Sequence, residues 1–228
     1  MDKRKIAALC IASFLLAPTK AAAAEVCQIT APSQKTLPEK TVTVPVSIAG
    51  NPGFTNFAIA LEYDTDKLEL TGIQTATGDV QYLCGGNVST NTAWKTSGGK
   101  ACGFIAAASG KNIGGDGTLF TATFLVKVGA TGTAVITPRV QYLRSFSDTF
   151  SDMDVTVQQA EITVIAYGDI TMDGKIEYDD VILAYQAAIG ETTLTAEQVE
   201  IADLAEEDTG SIDMADVQAI YDLYTEGE

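Results

Sequence analysis

The chain has 228 residues, of which 46% are hydrophobic and 7% aromatic, with no histidine and a net charge of −16. The lack of imidazole counts against His-dependent triads, most zinc hydrolase sites and haem ligation. From Tyr167 onward 17 Asp or Glu accompany one Lys, Lys175, whereas the preceding residues carry 13 acids and 13 bases, so the whole excess sits in the tail and disfavours nucleic acid or anionic membrane as a partner.

Residues 1–24 read as an export signal peptide. Lys3, Arg4 and Lys5 precede an apolar run from Ile6 to Ala17, and Ala21 to Ala24 supply small residues for cleavage. That run is too short to span a bilayer, and no later stretch is long enough, so a secreted, soluble product without membrane insertion is expected. Three cysteines follow it, Cys27, Cys84 and Cys102. An odd count leaves at least one outside any disulfide, and whether Cys84 and Cys102 pair stays open.

Residues 25–165 read as an all-β domain. Val42, Val44, Val46 and Ile48 alternate with polar or small residues, as do Phe57, Ile59, Leu61 and Tyr63. Period two marks strands with one buried face. Further strands are expected near 67–76, 101–108, 118–128, 132–143 and 155–165. They are separated by the turns Asn51-Pro52-Gly53, Ser97-Gly98-Gly99, Gly114-Gly115-Asp116-Gly117 and Gly129-Ala130-Thr131-Gly132. With no helix between them, these strands predict an antiparallel sandwich.

Near Tyr167 the period changes to helical, and residues 167–228 form a small all-α unit, making the chain multidomain. Val181, Ile182, Tyr185, Ala188 and Ile189 recur at helical spacing, then Val199, Ile201, Ala202 and Ala205, then Val217, Ile220, Tyr221 and Tyr224. Thr195 and Gln198 form a capping box. Only Ile165-Ala166-Tyr167-Gly168 joins the two units, so they are expected to sit close together.

Ahead of the first helix, oxygen-bearing residues have the spacing of an EF-hand calcium loop: Asp169, Thr171, Asp173, Lys175 through its carbonyl, Glu177 and the closing Asp180. Gly174 permits the bend and Ile176 tucks inward. Two departures are Thr171 in place of Asn or Asp, and Asp180 in place of Glu. A partial copy follows in Asp203, Asp208, Ser211, Asp213 and Asp216, with Gly210 and Ile212 repeating Gly174 and Ile176. It is two residues longer and has Ala205 where an oxygen is wanted. Either the loop bulges and Glu207 or Asp208 substitutes, or this site binds weakly or not at all.

A tandem of loop-plus-helix halves lacking an entering helix resembles a dockerin. The stretch Val44-Pro45-Val46, Asn51-Pro52-Gly53, Ala58 to Asp64 and Leu68-Glu69-Leu70 resembles a cohesin, a jelly-roll sandwich that receives dockerins. One chain with both resembles the adaptor scaffoldins of ruminococcal cellulosomes. The resemblance implies a non-catalytic adaptor of polysaccharide degradation that is extracellular, reaching a cell-surface cellulosome through its partners. Its cohesin would receive a dockerin-bearing enzyme and its calcium-dependent dockerin would enter a cohesin of a larger scaffoldin.

On the cohesin side the resemblance points to Asn56, Ala58 and Ala60 on the face opposite Phe57, together with Trp94, Phe104 and Ala107; a core role for Trp94 and Phe104 is equally open. On the dockerin side it points to Tyr178, Asp179, Gln186 and Ala187, and to Met214, Ala215, Asp222 and Leu223. The halves differ chemically, so one binding orientation is expected. Asn56, Ala58 and Ala60 offer no cation to meet Asp179 or Asp222, so the chain is expected not to bind itself and to be a monomer alone. The main alternative is a carbohydrate-binding sandwich fused to a dockerin. A glycosidase built on Asp64, Asp66 and Glu69 is disfavoured, since these read as a polar strand turn.

Overall fold

The structure, a computed structural model, describes residues 26–75, 88–95, 101–205 and 210–226. Two β-sheets face each other. One has the order β11 (Val155–Gln158), β1 (Cys27–Thr30), β3 (Thr41–Ala49), β8 (Gly117–Val126), β5 (Leu68–Thr75). The other has the order β2 (Gln34–Thr36), β12 (Ala160–Val164), β9 (Gly132–Phe146), β4 (Phe54–Tyr63), β7 (Ala101–Ile113), β6 (Val88–Lys95), with β10 (Phe150–Asp152) paired to β9.

The sandwich is present, with two departures from an antiparallel pattern. Strands β1 and β11 pair in parallel, and so do β2 and β12. Both terminal segments switch sheets in step, so the single strand expected over 155–165 is two short strands parted at Gln159. The turn expected at 97–99 lies outside the described residues.

Alternation decides the core. Val42, Val44, Val46 and Ile48 of β3 are buried, and opposite them in the same sheet stand Phe120, Ala122 and Phe124 of β8. Strand β4 contributes Phe57, Ile59 and Leu61 from the other sheet. The Phe57 ring stacks on Phe120 with centroids 6.4 Å apart, and Tyr63 meets Phe124 edge-on at 5.2 Å. Asn51 pins two turns together: its side chain donates to the Ile113 and Gly115 carbonyls and accepts from Gly53 N–H. Truncation of Phe124 to alanine is expected to lower unfolding free energy by about 3–5 kcal/mol, read as a lower urea midpoint at unchanged slope.

The helices are α1 (Tyr178–Ala188), α2 (Ala196–Ala202) and α3 (Met214–Glu226). Thr195 accepts from Gln198 N–H at 3.2 Å and Gln198 accepts from Thr195 N–H at 3.0 Å, closing the capping box that opens α2. In α1 the periodic residues divide. Val181 and Ala184 are buried, whereas Tyr178, Ile182, Tyr185 and Ile189 are exposed. The apolar residues of α1 therefore serve two faces, and Ile182, Tyr185 and Ile189 belong to the outer one.

A second core joins Ile170, Val181, Ala184, Ile201, Ala202, Val217 and Ile220 to two residues from the sandwich side, Leu37 and Ile165. Ile165 N–H donates to Thr36 and Gly168 N–H to Ile201. Lys40 Nζ lies 2.5 Å from Glu200 across the seam, and that carboxylate raises the lysine pKa above its ordinary value.

Candidate functional site

Two places concentrate the expected site residues: the acidic loops before α1 and α3, and the outer face of the β4-containing sheet. In the first loop Asp169 is buried. Its Oδ1 accepts from Asp173 N–H at 3.1 Å and from the Thr171 hydroxyl at 3.4 Å, and its Oδ2 accepts from Gly174 N–H at 2.9 Å. Gly174 has φ +98°, a conformation that favours glycine, so the bend falls where the spacing placed it. Asp180, buried at the start of α1, accepts from Thr171 N–H at 2.9 Å and from Glu177 N–H at 2.8 Å. Burial pushes the Asp169 carboxyl up from its ordinary value. The N–H groups of Gly174 and Asp173 oppose that rise, while the Asp180 and Asp173 charges reinforce it.

The second loop repeats this wiring. Asp203 Oδ2 accepts from Gly210 N–H at 2.7 Å, and Asp216 accepts from Leu204 and Ala205 N–H through Oδ1 and from Asp213 N–H through Oδ2. Asp169, Gly174, Glu177 and Asp180 thus correspond to Asp203, Gly210, Asp213 and Asp216. Both glycines precede their closing Asp by six positions, but Gly174 follows Asp169 by five and Gly210 follows Asp203 by seven. The extra length falls entirely between Asp203 and Gly210. Asp208 and Glu207 lie outside the described residues, and Ser211 is exposed on the loop.

The loops suit a hard cation by donor type, since every candidate ligand is oxygen. Asp169, Asp180 and Asp216 are buried, and none forms an ion pair with Lys or Arg among the described residues; Lys175 instead meets Glu177 at 3.2 Å. Buried carboxylates without a countercharge are costly. Asp203 Oδ1 is buried with no hydrogen-bond partner among the described residues. Among the described residues no three Asp, Glu, Cys or His side chains are gathered into a metal cluster. The carboxylates are held by backbone N–H donors, with Asp173 turned to Lys175 N–H.

On the outer sheet face, register explains what parity alone did not. Ala60 stands between Phe104 and Arg139, Ala58 between Ala106 and Tyr142, and Asn56 between Ala108 and Arg144. Ala58 and Ala60 face outward but are buried beneath these larger neighbours, forming a floor rather than contact points. Ala107 pairs with Phe57 and lies in the inner core, so its placement on the binding face is corrected. Trp94 and Phe104 lie outside that core and pack ring to ring at 5.2 Å on the outer face. Asn56 Oδ1 is buried without a hydrogen-bond partner among the described residues.

The face also carries cations that the sequence reading missed. Arg139 pairs with Glu62 at 3.0 Å, and Arg144 pairs with Asp152 at 2.6 Å while lying 4.8 Å from the Tyr142 ring centroid. The view of this face as lacking cations is therefore corrected. A β-bulge between Ala58 and Ile59 skips Gln141 on β9 and shifts the parity there, which hid Tyr142 and Arg144 from pattern reading.

On the helices, Tyr178, Asp179, Met214, Ala215 and Asp222 are exposed, and Gln186 and Ala187 are half-buried. Tyr178 and Leu223 line a cleft whose other wall includes Thr131 of the sandwich and Ala166 of the joining segment. The stripe Tyr178, Ile182, Tyr185 and Ile189 follows one side of α1 at i, i+4, i+7 and i+11. Its spacing was visible in the sequence, although its outward direction was not.

The family model for the cohesin domain matches residues 27–164 and stops before the helices. Three similar solved structures share the sandwich. The seventh ScaB type I cohesin of Pseudobacteroides cellulosolvens has 22% identity and TM-score 0.52, covering 62% of this chain and 93% of that one. The sixth cohesin of Acetivibrio cellulolyticus scaffoldin B, solved in complex with a Cel5 dockerin, has 18% identity and TM-score 0.51, covering 61% and 99%. A non-cellulosomal cohesin of the archaeon Archaeoglobus fulgidus has 16% identity and TM-score 0.50, covering 62% and 92%. A search of curated proteins returns no match.

Proposed function

Because the chain belongs to the cohesin family, whose domains are non-catalytic modules, we propose that it is a two-ended adaptor of a cellulosome. The sandwich receives a dockerin-bearing protein on its outer sheet face. Trp94, Phe104, Tyr142, Arg139 and Arg144 supply the aromatic and guanidinium groups that dominate protein interfaces, and the acidic character of a dockerin like this chain's own tail would complement the arginines. The helical unit acts as a dockerin and enters a cohesin of a larger scaffoldin. Export by residues 1–24 places the adaptor outside the cell.

The observation that carries the second half is the repeated carboxylate wiring of the two loops. Calcium, when bound, supplies positive charge that relieves the repulsion of buried acids. Asp169, Thr171, Asp173, Glu177, Asp180 and the Lys175 carbonyl would hold it in the first loop, and Asp203, Asp213 and Asp216 in the second. The tyrosine and isoleucine stripe on α1 gives the docking surface, with Tyr178 and Asp179 at its start. The family assignment of the sandwich favours this reading over a carbohydrate-binding sandwich.

The full chain tested against one array of dockerin-fused enzymes and one of scaffoldin cohesins is expected to bind a member of each, and the cohesin only with calcium present. Binding to neither array, with retention on cellulose or xylan instead, would replace the adaptor by the carbohydrate-binding reading.

A further inference from the structure

The turn Leu37-Pro38-Glu39-Lys40 belongs to the sandwich by chain order, following β2 and leading into β3. The sandwich also holds it rigid: Glu39 N–H donates to the Val126 carbonyl at 3.0 Å, and Val126 N–H donates to Lys40 at 2.9 Å. Glu39 has φ +62°, a left-handed conformation uncommon for a residue with a side chain. Such a conformation persists where surrounding contacts enforce it. Both ends of the turn meet the helices. Leu37, 6% exposed, is buried in the core of the helical unit rather than that of the sandwich, and Lys40 reaches Glu200 on α2. Ile165, at the end of the sandwich, enters the same core and is tied to the Leu37 turn through its bond to Thr36.

We infer that the helical unit is incomplete by itself: the sandwich supplies Leu37 and Ile165 to its core and the Lys40 countercharge to α2, so the two units form one rigid body. The unit's own buried side chains are few and mostly small or medium: Ile170 from the first loop, Val181 and Ala184 from α1, Ile201 and Ala202 from α2, and Val217 and Ile220 from α3. Small domains bury too little apolar surface to discard two such contributions. The inference is independent of whether the loops take calcium and of which partner binds.

Native-state hydrogen exchange on the full chain tests it. With Leu37→Ala, amides of α1 and α2 are expected to exchange roughly tenfold or more faster, as for a truncated core leucine, while β4 and β7 keep their protection. Leu37→Met should restore most of the loss. Unchanged protection in α1 and α2, or equal loss in β4 and β7, would overturn the assignment. A measurement without any substitution covers the case in which Leu37→Ala misfolds: residual dipolar couplings of the unaltered chain should fit one alignment tensor across both units. Two distinct tensors would show independently moving units and refute the inference.

Discussion

Replacing Asp180 with alanine is expected to abolish both the calcium response and the thermal transition of the helices while leaving the sandwich folded. The buried Asp180 carboxylate has two structural duties before any cation is considered. It accepts the Thr171 N–H, fixing the loop's third residue over the helix start, and the Glu177 N–H at the mouth of α1. Alanine leaves both donors without an acceptor, and each unsatisfied buried donor costs about 1–3 kcal/mol. Together these exceed what a small helical unit can spare. Circular dichroism at 222 nm on the full chain, with calcium and then with chelator, is the measurement. Asp180→Asn separates the duties: it keeps one oxygen acceptor and removes the charge, so much of the helix should survive while the calcium response falls. A variant Asp180→Ala that melts and titrates like the parent would defeat the account of the loops.

The second large effect is expected on the outer sheet face. Trp94 stands on β6, an edge strand, and packs on Phe104 without entering the sandwich core. Its truncation to alanine should therefore leave the denaturation midpoint almost unchanged. If this face receives the dockerin, affinity should fall about 30-fold or more, because aromatic anchors at interface centres are worth ~2 kcal/mol or more. Arg144→Ala should weaken binding less and reduce its salt dependence, since Asp152 already shares that charge. Calorimetry with whichever dockerin the array identifies reads both. Wild-type affinity in Trp94→Ala would move the binding face elsewhere on the sandwich.

Much of this architecture is legible from period and spacing, and the exceptions have physical causes. The strands β3 and β4 announce themselves because one buried face forces strict alternation. The split at Gln159 leaves only a faint trace in the chain: of the short strand before it only Val155, at an odd position, packs against the core, whereas Ala160, Ile162 and Val164 are buried at even positions. A run of β-branched residues masked that change. On β9 the bulge at Gln141 defeats parity altogether, because it is fixed by pairing with β4 and not by local preference. The loop residues were readable because their spacing is a local property, and the correspondence of Asp180 with Asp216 survives the longer second loop. Leu37 was out of reach. An isolated leucine before a proline carries no period, and its destination is set by helices that begin only at Tyr178, far along the chain.

The two parallel strand pairs give the sandwich a direction under tension. Strand β1 runs parallel to β11 in one sheet and β2 parallel to β12 in the other. A pull between residue 26 and the helices slides these neighbours past one another along their length, so the ladder bonds share the load instead of opening singly from one end. The sandwich is thus built to resist extension along the line that joins its first strand to the helical unit, whereas β6, among the described residues, is held only by β7.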